Sequence, residues 1–488
     1  MIGNERELAP LLAAWAPEQR WFAGKGREAE FSVQHLANLS DEPVQVAIYT
    51  LTAQYQPTTD HDTAAEQLVV AGETLLIEPE DVEVYQVPLA IYTEPAGHLE
   101  HALIGVLTGD GTVTAGSGGR AGWVYDALQD KDVTGLWMEG IRDSRVSGPL
   151  RFERFTEDDL PMEEPSLALT GEQSNTSLVY GGSAILKVFR RLEPGINPDI
   201  EVHRSLTELG AHNIAPLFGS MSAQIGDGEV SLAMLQEFMR TASDGWELAK
   251  TSVRDLMAEA DLHASEAGGD FAGEAERLGA ATAAVHSDLA DAFGTAMMSS
   301  DDVRGLATSM HRRLDAALRI VPQLGEVETG LRATFDAFRA EADGLTVSTQ
   351  RIHGDLHLGQ ALRTAQRWIL LDFEGEPAAS LPARRAFDSP LRDLAGMMRS
   401  FDYAARYQLV DAGQVAQLEY RAVEWAERNR SAFCDGYAEA SGHDPRDQEA
   451  LMRGYEADKA VYEAVYETRN RPSWLVVPLA SLARLVAA

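Results

Sequence analysis

The sequence predicts an α+β protein built as two lobes, and two observations carry that expectation. Strand-like alternation dominates up to about residue 240, and helical periodicity takes over from about residue 241. A short loop-and-strand stretch, about 350–377, interrupts the helical half and holds its most reactive residues. Taken in order, Leu8, Leu11, Leu12 and Trp15 recur at helical spacing, so a short amphipathic helix opens the chain. Residues 44–52 and 74–89 alternate as strands, with 54–66 between them as a polar surface insertion. Strand signals follow at 103–108, 177–179, 184–189 and 230–238, and the run 116–119 predicts a turn. Leu278, Ala281, Val285 and Leu289 then mark one face of a helix. The expected organisation is an N-terminal domain over 1–95, a strand-rich region over 96–240 and a helical lobe over 241–488.

Hydrophobic residues form 45% of the 488-residue chain, enough to bury a sizeable core. Acidic residues outnumber basic ones 76 to 41, for a formal net charge of -35. That balance argues against nucleic acid or an anionic membrane as a partner. A single cysteine, Cys434, excludes an internal disulfide and a cysteine-based metal cluster. Glu5 and Glu7 stand where a secretory leader would carry lysine. The apolar stretch 474–488 contains Pro478 and Arg484 and is too short to span a bilayer. A cytoplasmic protein is expected.

Four pieces carry chemistry. In the run 351–360, a carboxylate, Asp355, follows His353-Gly354, and an amide, Gln360, comes five residues later. Protein kinases place His-Arg-Asp and then Asn at this offset. There the aspartate accepts the proton of the acceptor hydroxyl, and the amide oxygen is a hard ligand for magnesium. Next, the apolar run Trp368-Ile369-Leu370-Leu371 delivers Asp372, followed by Phe373 and Glu374, which resembles the metal-binding Asp-Phe-Gly element. Whether Glu374 or Glu376 also touches metal stays open. Third, Lys187 sits inside the apolar strand 184–189, where a lysine is costly without a partner. Kinases hold the α- and β-phosphates of ATP with such a lysine and pair it with a helix glutamate, for which Glu201 is the candidate. The hydroxyl-rich segment 171–177, with Ser174 and Thr176, suits a phosphate-covering turn. Fourth, Gln236, Glu237, Phe238 and Met239 end a strand where the composition changes from β to α, the place of an adenine-binding hinge. Each piece alone is a weak signal, but all four stand in kinase order. Together they predict a bilobal protein-kinase-like fold using ATP and Mg2+, whose phosphates need local cations in so acidic a chain.

The C-terminal part adds an acceptor candidate. Lys459, Tyr462, Glu463 and Tyr466 recur at i, i+3, i+4 and i+7, so they share one helix face. Aromatic planes beside charged hydrogen-bonding groups suit a sugar. The plainer alternative is a helix packed on its tyrosines with a solvated Lys-Glu pair. Tyr403 is a weaker acceptor candidate, and His353 is counted with this set while also bracing the loop. Zinc ligation by His353 and His357 is disfavoured, because further ligands are missing.

The runs 353–360, 371–377 and 388–397 resemble those of actinobacterial maltokinases. So do Arg20-Trp21-Phe22-Ala23-Gly24-Lys25-Gly26-Arg27 near the N-terminus and 458–467 with 469–472 near the C-terminus. The resemblance covers nearly the whole chain, apart from extra polar residues around 54–66 and 264–273. It implies an aminoglycoside-phosphotransferase-like fold with an added N-terminal cap domain, and transfer of the γ-phosphoryl of ATP to the anomeric hydroxyl of maltose. Glutamine at position 360 favours the sugar branch over antibiotic kinases. Maltose 1-phosphate would feed α-glucan synthesis, with trehalose synthase upstream and as an associating partner. Competing expectations are a kinase for glucosamine or an aminoglycoside, a catalytically inactive kinase-like binding partner, and a hydrolase built on His353 and His357. The cap motif with Trp21, Lys25 and Arg27 is expected to grip the neighbouring β region.

Overall fold

The computed structural model describes residues 5–56, 66–70, 73–77, 82–107, 122–169, 174–226, 228–258, 263–266, 269–343, 347–376, 379–412 and 416–487. The turn expected at 116–119, most of the insertion at 54–66 and positions 171–173 of the hydroxyl-rich segment lie outside the described residues. The chain divides into two compact units, one strand-rich and one mostly helical.

The strand-rich unit takes in residues 1–64, 78–204 and 216–240. Its first sheet is antiparallel, in the order Ala29–Ser40, Gln45–Tyr55, Val82–Tyr92, Gly122–Asp126 and Leu103–Leu107. This sheet continues past the boundary expected at residue 95. The Gln45–Tyr55 strand is buried along almost its whole length, because both faces are covered. Tyr49, Leu51 and Ala53 pack with Leu8 and Leu12 of the Glu5–Trp15 helix. Val46 and Ile48, on the opposite face, join a core shared with Leu178, Leu186 and Val188.

Those last residues belong to a second, seven-stranded antiparallel sheet. Its order is Ser166–Ala168, Asn175–Tyr180, Ala184–Phe189, Gly228–Glu237, Leu217–Ile225, Leu150–Arg154 and Val146–Ser147. Arg191–Leu192 leaves this sheet and pairs with Tyr85 and Val84 of the first one. The two sheets are therefore stitched together within one unit.

The helical unit holds the catalytic-loop sequence. Leu278, Ala281, Val285 and Leu289 are all buried on the Ala272–Phe293 helix, as their spacing predicts. That helix crosses the Ala416–Ser441 helix closely. A Cβ on Gly279 would lie 2.0 Å from the Phe433 carbonyl, and one on Gly436 would lie 1.9 Å from that of Glu276. The run expected to form a strand before Asp372 does so: Trp368–Leu370 pairs with Ala361–Arg363. Among the described residues no helix is long and apolar enough to cross a membrane.

Candidate active site

The loop around Asp355 is held from below by one carboxylate. Asp393, on the Leu391–Arg406 helix, accepts the backbone N–H of His353 at 2.7 Å and of Gly354 at 2.8 Å. His286 Nε2 lies 3.0 Å from the same carboxylate, and its Nδ1 lies 3.1 Å from the Tyr437 hydroxyl. Burial disfavours the charge on Asp393, but His286 and the loop amides outweigh it and hold the carboxyl below its ordinary value. Two further contacts fix the loop's path. Ser400 Oγ accepts Leu358 N–H at 3.0 Å, and Gly396 admits the Leu356 carbonyl where a Cβ would stand 2.6 Å away. Gly354 has φ +84°, and its Cβ position lies only 3.1 Å from Gly375 Cα, so glycine is required there twice over.

The predicted metal pair converges. Gln360 Nε2 donates to Asp372 Oδ2 at 3.1 Å, which sets an amide and a carboxylate side by side. Both offer hard oxygen donors, and that chemistry fits magnesium. Asp372 has φ +63°, a left-handed conformation that a non-glycine residue adopts at some cost and that concentrates at functional sites.

His353 differs from its assignment to the acceptor. It is buried, its Nε2 meets the Leu371 carbonyl at 2.8 Å, and its ring packs on Phe373 at 4.9 Å. It therefore braces the two halves of the loop and does not line the cavity of about 800 Å³ beside Asp355. The other histidine of the candidate zinc pair is engaged as well: His357 Nδ1 accepts Gly359 N–H at 3.1 Å. Burial holds the His357 imidazole below its ordinary value.

A cavity of about 800 Å³ opens beside Asp355. Tyr403, Lys459, Tyr462, Glu463 and Tyr466 all line it, so the helix face predicted from spacing does meet the Asp355 carboxylate. Lys459 Nζ bridges Asp355 at 3.3 Å and Glu376 at 2.9 Å. Burial raises the Asp355 carboxyl, but Lys459, with His357 and His353, outweighs it and holds the group below the usual carboxylate range. The ammonium of Lys459 moves the opposite way. Burial lowers it, and Glu376 and Asp355 more than restore it. Glu463 is pushed up by burial and partly restored by Arg399, which donates Nε–H to it at 2.8 Å. At the far end Tyr403 stacks on Trp474 at 6.1 Å and donates its hydroxyl to Glu467 at 3.0 Å. Arg471 bonds the same glutamate and lies over the Tyr466 and Trp474 rings.

Several lining residues escape the sequence pattern. Trp246 comes from a distant segment, and Arg471 and Trp474 lie just past the end of the helix that carries the predicted face. Glu376, for which the sequence leaves metal contact open, pairs with Lys459 on the cavity wall.

On the strand-rich unit, Lys187 has a carboxylate partner in Asp199, at 3.2 Å, two residues before the nominated Glu201. Both acids stand in the first turn of the Pro198–Leu209 helix. Thr176 is buried on the neighbouring strand and Ser174 is exposed just before it. Gln236 and Glu237 end the Gly228–Glu237 strand, opposite Ile185 and Ala184, and Phe238 N–H bonds the Ser183 carbonyl. Phe238 and Met239 follow as the chain leaves this unit.

Residues 15–130 match the family model of the maltokinase N-terminal cap domain. Over 324 residues the chain is 29% identical to a glucosamine kinase of Streptacidiphilus jiangxiensis, which covers 64% of this chain and 72% of the relative. It is 27% identical over 325 residues to a glucosamine kinase of Mycolicibacterium smegmatis, at 65% and 79% coverage. A solved glucosamine kinase in complex with glucosamine, ADP and inorganic phosphate shares the fold, with a TM-score of 0.66 at 22% identity. It covers 99% of this chain and 100% of that one. A second crystal form of a glucosamine kinase gives 0.68 over 98% of this chain and 99% of its own. The chain is thus a kinase-type phosphotransferase of the kinase-like fold. Its N-terminal part, residues 15–130, is similar to a maltokinase-type cap.

Proposed function

We propose that this protein transfers the γ-phosphoryl of ATP to the anomeric hydroxyl of maltose, giving maltose 1-phosphate for α-glucan synthesis in the cytoplasm. The carrying observation is the way the cavity's charges are paired. Six carboxylates line it, and five hold a cation: Asp355 and Glu376 on Lys459, Glu463 on Arg399, Glu467 on Arg471, Glu247 on Lys250. The sixth, Asp244, accepts the backbone N–H of Glu247. A neutral polyol suits such a wall, and an ammonium-bearing sugar would have to compete with each of these cations. The volume of about 800 Å³ lies toward the upper end of the ~300–1,000 Å³ usual for small-molecule sites, which favours two rings over one. Tyr403, Tyr466 and Trp474 supply flat apolar surface for the ring remote from Asp355.

Asp355 orients the acceptor hydroxyl and takes its proton as the oxygen attacks. Its carboxylate, kept ionised by Lys459, has the open acceptor site that this needs. Gln360 and Asp372 would hold magnesium, which neutralises phosphate charge. Lys187, steadied by Asp199, binds the α- and β-phosphates. Catalysis rests on positioning and charge stabilisation, without a phosphoenzyme.

The runner-up acceptor is glucosamine, favoured by the similarity of the chain to two glucosamine kinases. An ADP-release assay with magnesium and a panel of maltose, glucose, glucosamine and an aminoglycoside separates the two. Maltose should give the highest kcat/KM, and a clear lead for glucosamine or glucose overturns the maltose assignment. Co-purification with trehalose synthase tests the proposed association.

A further inference from the structure

One wall of the cavity beside Asp355 comes from a single helix, Glu449–Asn470, so the helix serves as a ruler for the site. Lys459, bonded to Asp355, marks the reacting end. At about 1.5 Å of rise per residue, Tyr466 lies ~10 Å further along the axis and Asn470 ~16 Å. Arg471 and Trp474, just past the helix end, still line the same cavity. The site therefore runs well beyond the reach of one ring held at Asp355.

The far end is an aromatic shelf that faces solvent. The Tyr403 and Trp474 rings lie nearly parallel, at 13° with centroids 6.1 Å apart. Tyr466 is 44% exposed, and the Arg471 guanidinium lies over both the Tyr466 and Trp474 rings. One buried carboxylate holds this assembly in place. Glu467, 1% exposed, accepts the Tyr403 hydroxyl at 3.0 Å and Arg471 Nη2–H and Nε–H at 2.6 and 3.0 Å. Apolar surface left open to water at a cavity rim marks a binding site more often than a scaffold. A shelf already locked by Glu467 and Arg471 also loses little freedom when a ligand covers it. Its flat rings match the apolar faces of pyranoses.

We propose that this shelf is a subsite for the outer glucosyl units of an α-1,4-linked acceptor, so that oligomers longer than a disaccharide, maltotriose first, are phosphorylated at their reducing end. This rests on the maltose reading above and extends it. Only the anomeric end meets Asp355, so the rest of the chain lies along the helix toward the rim. The second ring reaches the inner edge of the shelf, and the third lies across Trp474 and leaves through the open side. The chemistry is unchanged by chain length: the anomeric oxygen bonds the γ-phosphorus, the bond to the ADP oxygen breaks, and the hydroxyl proton goes to Asp355.

The test is ADP release by the full chain with magnesium and either maltose or maltotriose, with loss of each sugar's reducing end confirming phosphorylation at the anomeric position. In the wild type, kcat/KM for maltotriose should equal or exceed that for maltose. Trp474→Ala should lower it about ten-fold for maltotriose and about three-fold for maltose, while the Kd for a non-hydrolysable ATP analogue stays at the wild-type value. If Trp474→Ala does not fold, Tyr466→Ser, at an exposed position, should show the same order of losses. A wild-type protein that phosphorylates maltose and leaves maltotriose untouched overturns the proposal, and so does an equal loss for the two sugars in the variant. A wild-type protein that phosphorylates glucosamine and neither glucan sinks the maltose reading itself, which is a distinct result.

Discussion

Two charge clusters in the helical unit each centre on an aspartate and behave differently. Around Asp402, everything is enclosed. Its carboxylate is fully buried and receives Arg399 at 2.8 Å, a two-pronged Arg484 at 3.0 and 2.7 Å, and the Ser481 hydroxyl at 2.9 Å. Arg430 and Arg406 stand within 3.7 Å. Around Asp355 a single cation, Lys459, is divided between two carboxylates, and the Asp355 and Lys459 side chains are 24% and 28% exposed. The first cluster joins the Leu391–Arg406, Ala416–Ser441 and Val476–Ala487 helices and has little freedom to rearrange. The second faces the cavity and can exchange partners when an acceptor hydroxyl arrives. A buried, over-determined web suits a scaffold, and a shared, half-open contact leaves the freedom that the proposed chemistry needs.

The comparison breaks most sharply at Asp355. Replacing it with Asn keeps the shape and removes the base, so kcat should fall by about 10²–10⁴-fold. Binding of the ATP analogue should persist, and the melting temperature should stay near wild type. Near-normal turnover in Asp355→Asn would show that the carboxylate is not the base.

The reverse pattern is expected at Asp402. Asp402→Asn leaves several arginines around a neutral group and should cost about 3–5 kcal/mol, read by denaturant unfolding. The pH dependence follows from the sign of the shift. Burial raises the Asp402 carboxyl, but Arg430, Arg399 and Arg484 outweigh it and hold it well below the carboxylate range. Its stabilisation is therefore complete above the unfolded-state value of about 3.9 and is lost as the pH falls below it. The acid sensitivity of unfolding should be shallower in Asp402→Asn than in wild type. A variant as stable as wild type at neutral pH would remove the distinction between scaffold and site.

How much of this was legible beforehand depends on how far apart the partners lie in sequence. Asp355, Gln360 and Asp372 fall within one short run, and a motif captures them. Lys459, Tyr462, Glu463 and Tyr466 follow helical spacing, and they do share the cavity. The partner of Lys187 was harder. Asp199 and Glu201 share the first helical turn but point about 200° apart at 3.6 residues per turn, and spacing to a strand cannot choose between them. Arg399 and Trp474 reach the site only through helix packing, which leaves no local pattern. The boundary at residue 95 falls inside the first sheet because its last two strands, Leu103–Leu107 and Gly122–Asp126, are short and separated from the others.

The smallest effect sharpens the comparison most, because it concerns the shared cation itself. Lys459→Met removes the ammonium and keeps most of the side chain's length. If Lys459 only bonds sugar, the variant should raise KM for maltose and leave the pH profile alone. The geometry predicts more, since Nζ lies 3.3 Å from Asp355 and 2.9 Å from Glu376. Without it, burial acts on the Asp355 carboxyl opposed only by His357 and His353, so the group becomes harder to ionise. The acid limb of kcat/KM against pH, which reports the free enzyme, should then move to higher pH. Glu376→Gln acts in the opposite sense: it frees Lys459 to serve Asp355 alone, and the limb should move to lower pH. Opposite displacements in the two variants identify Lys459 as the counter-ion of the catalytic carboxylate, and an unmoved limb in both confines it to sugar binding.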